Sequence, residues 1–415
     1  MASARLSQPR ILIVTHYFPP CAASGAFRLL GFARHLPALG WNVRVLCPGA
    51  TPLEPVDHEL TKELPGDVMV DEVPYTLGRT AALRARLSVT GTFFEGRSVW
   101  VKPAVQAGAD IVSAWQPDVI LTSGPPHSVH AVGHALKRQF GTPWAADLRD
   151  PWIAGSWWKV GRRRLQARAE QVAMDAADLI IANAPNALAA MMAAYPHQAK
   201  KLIVIPNGFD PEAFPEKNRQ HPQRTGIRLV HTGELYAGRN PALLLQAITS
   251  LLTSGRKVVL RLVGGVDTSD RNGAEWLGRP ELNAHVEFVG QVSYREACQQ
   301  MVEADLLCLL DTPGRRIGVP AKLYEYLGAR RPILALTEPD SDAAQVLRES
   351  GILHRIAAPQ DPGAVLKALK ELVDTLSSPP SGAKAPPVKD FSRRAGAERL
   401  DMALRAILAH RPATL

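Results

Sequence analysis

Apolar runs of four to six residues recur along the chain, separated by stretches in which apolar positions fall three and four apart. That alternation of buried strand and amphipathic helix predicts parallel sheets covered by helices on both faces. The first run, RILIVT at residues 10–15, leads through a loop at 16–25 into a helix over about 26–39. Gly40 ends that helix, and residues 42–47 form the second strand. Residues 48–117 are broken by Pro and Gly and carry a basic stretch from Arg79 to Arg86, so no regular element is assigned there. Order returns with strands at 118–122, 144–147, 178–182 and 201–205. Helices start near His127, run over 162–176, and follow the strand that ends at Ala182.

The pattern then resets. Pro206-Asn207-Gly208 is a turn signal, and residues 211–225 are polar and Pro-rich. A second series places strands near 227–231, 258–263, 286–289, 306–310, 332–336 and 352–356, with helices between them. Residues 377–388 (SSPPSGAKAPPV) form a linker without core-building side chains, and 391–408 reads as a last amphipathic helix. The expected domains are 1–207, joined by 391–415, and 208–390. Two doubly wound halves offer two crevices at the carboxyl ends of their strands, where open α/β sheets bind ligands. With these facing one another, the expected active site is a central cleft.

Composition narrows the reading. Across 415 residues, 46% are hydrophobic and 21% charged, which fits an ordinary globular chain of two domains. No apolar run approaches the ~20 residues of a membrane span, and residues 1–10 lack the apolar stretch of a secretory signal. Cys21, Cys47, Cys298 and Cys308 are scattered singly, with Cys47 and Cys308 in strand-like runs as small core residues. The expected compartment is a reducing cytoplasm. A net charge of +9 suits nucleic acid, an anionic membrane surface or phosphorylated small molecules. Aromatics are only 6% and no aromatic–basic stacking motif occurs, which disfavours nucleic acid.

Five constellations stand at strand ends. The loop from His16 to Gly25, followed by Arg28, joins small residues to a helix N-terminus, where free N–H groups make an anion site; the alternative is a plain connection. Ser123-Gly124-Pro125-Pro126-His127 presents His127, while His130 and His134 read as ordinary helix histidines rather than zinc ligands. Asp147-Leu148-Arg149-Asp150 either holds sugar hydroxyls by charged hydrogen bonds or fixes a turn as an Asp–Arg pair. Gly233-Glu234 and Arg239 combine close backbone approach with a bidentate cation, or else leave a surface arginine. Lys322 and Glu325 share a helix face, as a phosphate and ribose pair or as a solvated ion pair. Asp340-Ser341-Asp342 has the D-x-D form of metal-dependent sugar transferases, but its place before a helix suits capping.

Taken together, ILIVTHYFPPCAASGAFR, DVILTSGPPHS, AADLRDPW, IPNGFD, HTGELYAGRNP and VPAKLYEYLGARRPIL resemble the family-4 retaining glycosyltransferases of the GT-B fold over nearly the whole chain. The resemblance implies an N-terminal acceptor domain, a C-terminal donor domain and a final helix returning to the first. It implies that Arg239 and Lys322 bind the diphosphate, Glu325 the ribose and Gly25 the diphosphate from the first loop. His127 becomes the cleft histidine near the transferred sugar, and catalysis falls to Arg239, Lys322 and His127. Gly233 and Glu234 complete the donor set; His16, Arg28, Asp147, Arg149 and Asp150 are left for acceptor or sugar. Two departures stand out: Ile317 replaces the first glutamate of the family's E-x7-E, and Glu234 replaces its usual arginine. The implied reaction is retaining transfer from a nucleotide-diphosphate sugar, with no metal or cofactor, to a lipid-linked, polysaccharide or other glycoconjugate acceptor. A nucleotide-sugar 2-epimerase and a non-enzymatic nucleotide-sugar binder are the alternatives. Two basic clusters, Arg79, Arg84 and Arg86 near Phe93 and Phe94, and Arg162, Arg163, Arg164 and Arg168 after Trp157 and Trp158, predict a peripheral contact with anionic membrane by the first half.

Overall fold

A computed structural model describes residues 8–49, 56–74, 100–150, 152, 160–216, 226–235, 239–265, 279–377 and 391–409. The chain forms two compact units: Met1–Asn207 with Arg393–Leu415, and Gly208–Ser392.

The first unit is built on seven parallel strands, β1 (Arg10–Thr15), β2 (Asn42–Cys47), β3 (Met69–Glu72), β4 (Val119–Gly124), β5 (Trp144–Leu148), β6 (Leu179–Ala182) and β7 (Leu202–Val204), in the order β3-β2-β1-β4-β5-β6-β7. Among the described residues its helices are α1 (Ser24–His35), α2 (Val101–Trp115), α3 (Val129–Phe140), α4 (Val160–Ala176) and α5 (Pro185–Ala194). The chain's last helix, here α11 (Arg393–Ala409), belongs to the same unit. Its Ala397, Leu400 and Leu404 share one buried core with Leu29 and Phe32 of α1 and Ile11 and Ile13 of β1. Trp41 Nε1 donates to Asp401 Oδ1 at 2.7 Å, which fixes the helix's rotation.

The second unit repeats the plan with six parallel strands, β8 (Ile227–Thr232), β9 (Val258–Val263), β10 (Val286–Gly290), β11 (Leu306–Leu310), β12 (Ile333–Leu336) and β13 (His354–Ala357), in the order β10-β9-β8-β11-β12-β13. Among the described residues the helices are α6 (Ala242–Thr253), α7 (Tyr294–Glu303), α8 (Ala321–Ala329), α9 (Asp342–Ser350) and α10 (Pro362–Ser377). The apolar strand runs become the centre of the core: Leu306, Cys308 and Leu310 of β11 are buried with Leu229 of β8 and Leu260 of β9. Both units are therefore Rossmann-like α/β sheets. In each, the strand order reverses once, between β1 and β4 and between β8 and β11.

Among the described residues, a β-strand and an α-helix lie inside the stretch that shows no pattern in the sequence. β3 is four residues long, lies at the sheet edge and is mostly exposed, so it carries no apolar run. α2 does have helical spacing, but its buried stripe of Ala104, Gly108, Ile111 and Val112 is half small residues, which mutes the contrast. Among the described residues, no helix is long and apolar enough to cross a membrane.

Candidate functional site

Each unit gathers polar side chains at the carboxyl end of its sheet, where the strand order reverses. That is where open α/β sheets place ligands. The two clusters differ in how their charges are used.

In the first unit, β1 runs out at Thr15 and delivers buried His16, whose ring meets the Trp100 ring edge-on at 5.2 Å. β4 ends at Gly124 and β5 at Leu148, so Ser123, Asp147 and Arg149 emerge side by side. Asp147 is fully buried. It accepts from Arg28 Nη2 at 2.9 Å, Arg28 Nε at 3.0 Å and Ser123 Oγ at 2.7 Å. Arg28 Nη1 donates onward to the Pro206 carbonyl at 3.0 Å and Asn207 Oδ1 at 3.2 Å. Asp147 and Arg28 are two of the residues expected at acceptor or sugar; the bonds they make here run into the protein. The Asp–Arg pair that fixes the turn is real, but the arginine is Arg28 rather than Arg149.

Arg149 takes a different course. Its Nε donates to the Gly124 carbonyl at 3.2 Å and its Nη2 to that of Pro125, and the guanidinium lies over the Tyr17 ring at 5.7 Å. Burial pulls its pKa below the usual guanidinium value. A Cβ on Gly25 would meet the Arg149 guanidinium and the Tyr17 ring, so the glycine at the start of α1 leaves these side chains room. Asp150 beside Arg149 is exposed, and its carboxylate favours the charged form of the Arg149 guanidinium. His127 stacks on Trp152, with ring centroids 4.7 Å apart and planes 13° apart. Burial, then the His130 and Arg149 charges, drive its pKa well below the ordinary histidine value, so the imidazole is neutral. His130 is buried too and shares a 2.8 Å hydrogen bond with Thr122.

In the second unit, β8 ends at Thr232, and Gly233 turns the chain with φ +95°. A Cβ there would lie 2.8 Å from Lys322 Nζ, so any larger residue meets both a strained backbone and the ammonium. Lys322 projects from the first turn of α8. Burial, and next the Arg239 charge, lower its pKa to about 8, against the opposing pull of Glu325 and Asp311. Arg239 and Lys322 thus form a like-charged pair beside the glycine turn, with Glu325 acting on the same ammonium. Glu234 is exposed and lies beside Gly265. Arg316 in the loop between β11 and α8 pairs at 2.7 Å with Asp340, which follows β12, and Gly318 N–H of that loop donates to Asp342, the first residue of α9, at 2.7 Å. Both aspartates shape that loop, and Ser341 caps α9 through the Ala344 N–H.

Two residues of this cluster escape the sequence reading. Fully buried His231 donates from Nδ1 to the Cys308 carbonyl at 2.9 Å, and its Nε2 lies 3.4 Å from Lys322 Nζ. Tyr326 Oη accepts from the Thr232 N–H at 3.0 Å and donates to the same Cys308 carbonyl at 3.1 Å. The only signal for His231 is a polar residue inside an apolar strand (RLVHT). Of the remaining sequence candidates, Arg79, Arg84, Arg86, Phe93, Phe94, Trp157 and Trp158 lie outside the described residues, as do the side chains of Arg162, Arg163 and Arg164. Arg168 is exposed on α4.

Residues 25–208 match the glycosyl transferase 4-like domain, and residues 226–375 match the glycosyl transferases group 1 domain. The chain belongs to the family-4-type glycosyltransferases. A curated relative, the phosphatidyl-myo-inositol mannosyltransferase of Mycobacterium tuberculosis, is 32% identical over 164 residues, which is 39% of this chain and 40% of that protein. The match thus spans well under half of either sequence. Among solved structures, a glycosyltransferase from Rickettsia africae superposes with TM-score 0.68 at 13% identity, covering 97% of this chain and 100% of the other. Anabaena HepE in complex with UDP does so with TM-score 0.62 at 17% identity, covering 96% and 100%. These likenesses place both Rossmann-like units in the GT-B fold.

Proposed function

We propose that the chain transfers a sugar, with retention, from a nucleotide-diphosphate donor held by the second unit to a lipid-linked acceptor handled by the first. The observation that carries this reading is the Lys322–Arg239 pair at the Gly233 turn. The Arg239 charge disfavours the Lys322 ammonium; a diphosphate relieves that repulsion and is the group that departs. Stabilising the leaving group electrostatically is the main demand of the step. Glu325 accepts from the ribose hydroxyls. A β-phosphate oxygen takes the acceptor proton on the attacked face, so no protein base is needed. Neutral His127, stacked on Trp152, offers a hydrogen bond to the sugar rather than a proton.

The two cations supply the charge that a metal supplies in D-x-D enzymes, so turnover is expected to continue in EDTA. The donor class is supported by UDP in the related HepE structure, and the lipid acceptor by the name of the mannosyltransferase relative. Thermal shift with UDP-, GDP- and dTDP-sugars will identify the donor. Release of free nucleotide only when acceptor is present is the expected result; release without acceptor, or epimerisation of the donor sugar, would refute transfer. Salt-sensitive sedimentation with phosphatidylglycerol vesicles tests the lipid side, and failure to bind at low salt points to a soluble acceptor.

A further inference from the structure

Lysine carries its charge on a flexible four-carbon stem, so a lysine that must meet one phosphate needs something to hold it. Lys322 is faced by Arg239 from the loop after β8, by Glu325 from its own helix, by Asp311 and Cys308 from the β11 side, and by His231 from β8. Asp311 is itself engaged, accepting from Thr337 Oγ1 at 3.0 Å and from the Thr312 N–H at 2.8 Å. Arg239 repels the ammonium. The buried imidazole lies within hydrogen-bonding reach of the amine, with Nε2 3.4 Å from Nζ.

The roles in that contact follow from valence. A backbone carbonyl only accepts, so His231 Nδ1 carries the proton that bonds Cys308. Burial and the neighbouring Lys322 and Arg239 charges keep the ring neutral, which leaves Nε2 as an acceptor. An ammonium only donates. The chain Lys322 Nζ–H to His231 Nε2, and His231 Nδ1–H to Cys308 carbonyl, thus has one consistent assignment. The carbonyl is also bonded by Tyr326 Oη, and Tyr326 lies one helical turn after Lys322 on α8. The strand end, the helix and the lysine are tied to a single backbone oxygen.

We propose that His231 is a positioning residue, holding the Lys322 ammonium over Gly233 through the hydrogen bond it accepts at Nε2 and so setting how tightly the second unit grips a diphosphate. This rests on the reading of Lys322 as a diphosphate cation. Losing the acceptor has two consequences. The ammonium loses a stabilising partner, so Lys322 deprotonates at lower pH, and the freed stem samples positions away from the turn.

Two substitutions separate positioning from packing. His231→Asn keeps a donor near the Cys308 carbonyl but is too short to reach Lys322. His231→Gln returns an acceptor at the ε position, while Tyr326 still bonds Cys308. The ionisation of Lys322 is read directly by competitive acetylation with acetic anhydride across pH, followed by peptide mapping. In parallel, calorimetry measures inorganic pyrophosphate binding to the full chain. In His231→Asn the Lys322 midpoint is expected to fall by about one pH unit, the scale of one hydrogen bond to a charged group, with pyrophosphate bound about tenfold more weakly at pH 7.5. His231→Gln is expected to recover most of both. A folded Asn variant with the wild-type midpoint, or a Gln variant more impaired than Asn, overturns the proposal and leaves His231 as packing. If Lys322→Ala leaves pyrophosphate binding unchanged, the diphosphate reading fails, and the labelling midpoint still decides whether His231 governs the lysine.

Discussion

The two strand-end clusters use charge in opposite ways. In the first unit, Arg28 and Asp147 are 4% and 0% exposed in their side chains, and they are satisfied by each other, by Ser123 and by residues 206–207. A buried ion pair repays its desolvation only when bonded so completely, and such a pair holds a scaffold together. In the second unit, Lys322 and Arg239 are half-buried cations that push against each other, and the first is already shifted toward its neutral form. Strain of that sign marks a place prepared for an anion. Reading charged residues at strand ends as ligand contacts therefore needs one further question: whether burial and the neighbouring charges leave each group at its ordinary pKa or shift it toward its neutral form.

The largest effect expected is on the closed cluster. Asp147→Ala leaves the Arg28 guanidinium buried and uncompensated, which costs about 3–5 kcal/mol. Urea denaturation followed at the first unit's transition is the measurement. A loss below about 1 kcal/mol would place the pair with solvated surface bridges and erase the contrast. Replacing both partners together, as Arg28→Met with Asp147→Leu, is expected to regain much of the stability.

The open cluster responds in rate. Arg239→Ala and Lys322→Ala are each expected to slow transfer by two or more orders of magnitude with folding intact, since one key donor to a developing anion is worth roughly 3–4 kcal/mol. Near-normal turnover in both would remove the donor site. Glu325→Ala comes next. A carboxylate accepting from two ribose hydroxyls makes charged hydrogen bonds worth about 1.5–3 kcal/mol, so nucleoside diphosphate affinity drops accordingly. Unchanged affinity by calorimetry would make Glu325 a surface residue of α8.

How much of this was legible in the chain follows from the same contrast. The apolar strands announced themselves, because parallel strands buried on both faces read as runs such as LLCLL in β11. Edge strand β3 did not, because exposure on both sides removes the run. Lys322, Arg239 and Glu325 were visible as motif residues following strands. The pairing of Asp147 with Arg28 was not legible, because they are 119 residues apart, and spacing cannot show that one neutralises the other. Arg149, adjacent in sequence, was the nearer partner on paper, but it turns instead to the Gly124 and Pro125 carbonyls. His231 stayed hidden for a related reason: its role is defined by Lys322, 91 residues away.

The smallest effect is also the sharpest statement of the comparison, because it predicts a gain. The Lys322 pKa falls from 10.5 to about 8 in the folded chain. Between these values the unfolded state binds more protons than the folded state, so stability rises with pH across that window. Below about 8 the penalty of holding the charge is fully present. Lys322→Met keeps the stem's length and apolar body while deleting the charge, so at pH 7 it is expected to raise stability. The gain is on the order of 1–2 kcal/mol, once solvent screening at a half-buried amine is allowed for. The gain should shrink as pH climbs from 8 to 10, since the wild-type lysine then sheds its own proton. The same variant should lose donor binding. Measuring its thermal midpoint against wild type at pH 7 and pH 10 checks both the sign and the window. A variant less stable at pH 7, or an advantage that does not change with pH, would mean that the ammonium is already neutralised within the fold, as Arg28 is, and that the two clusters differ in composition but not in kind.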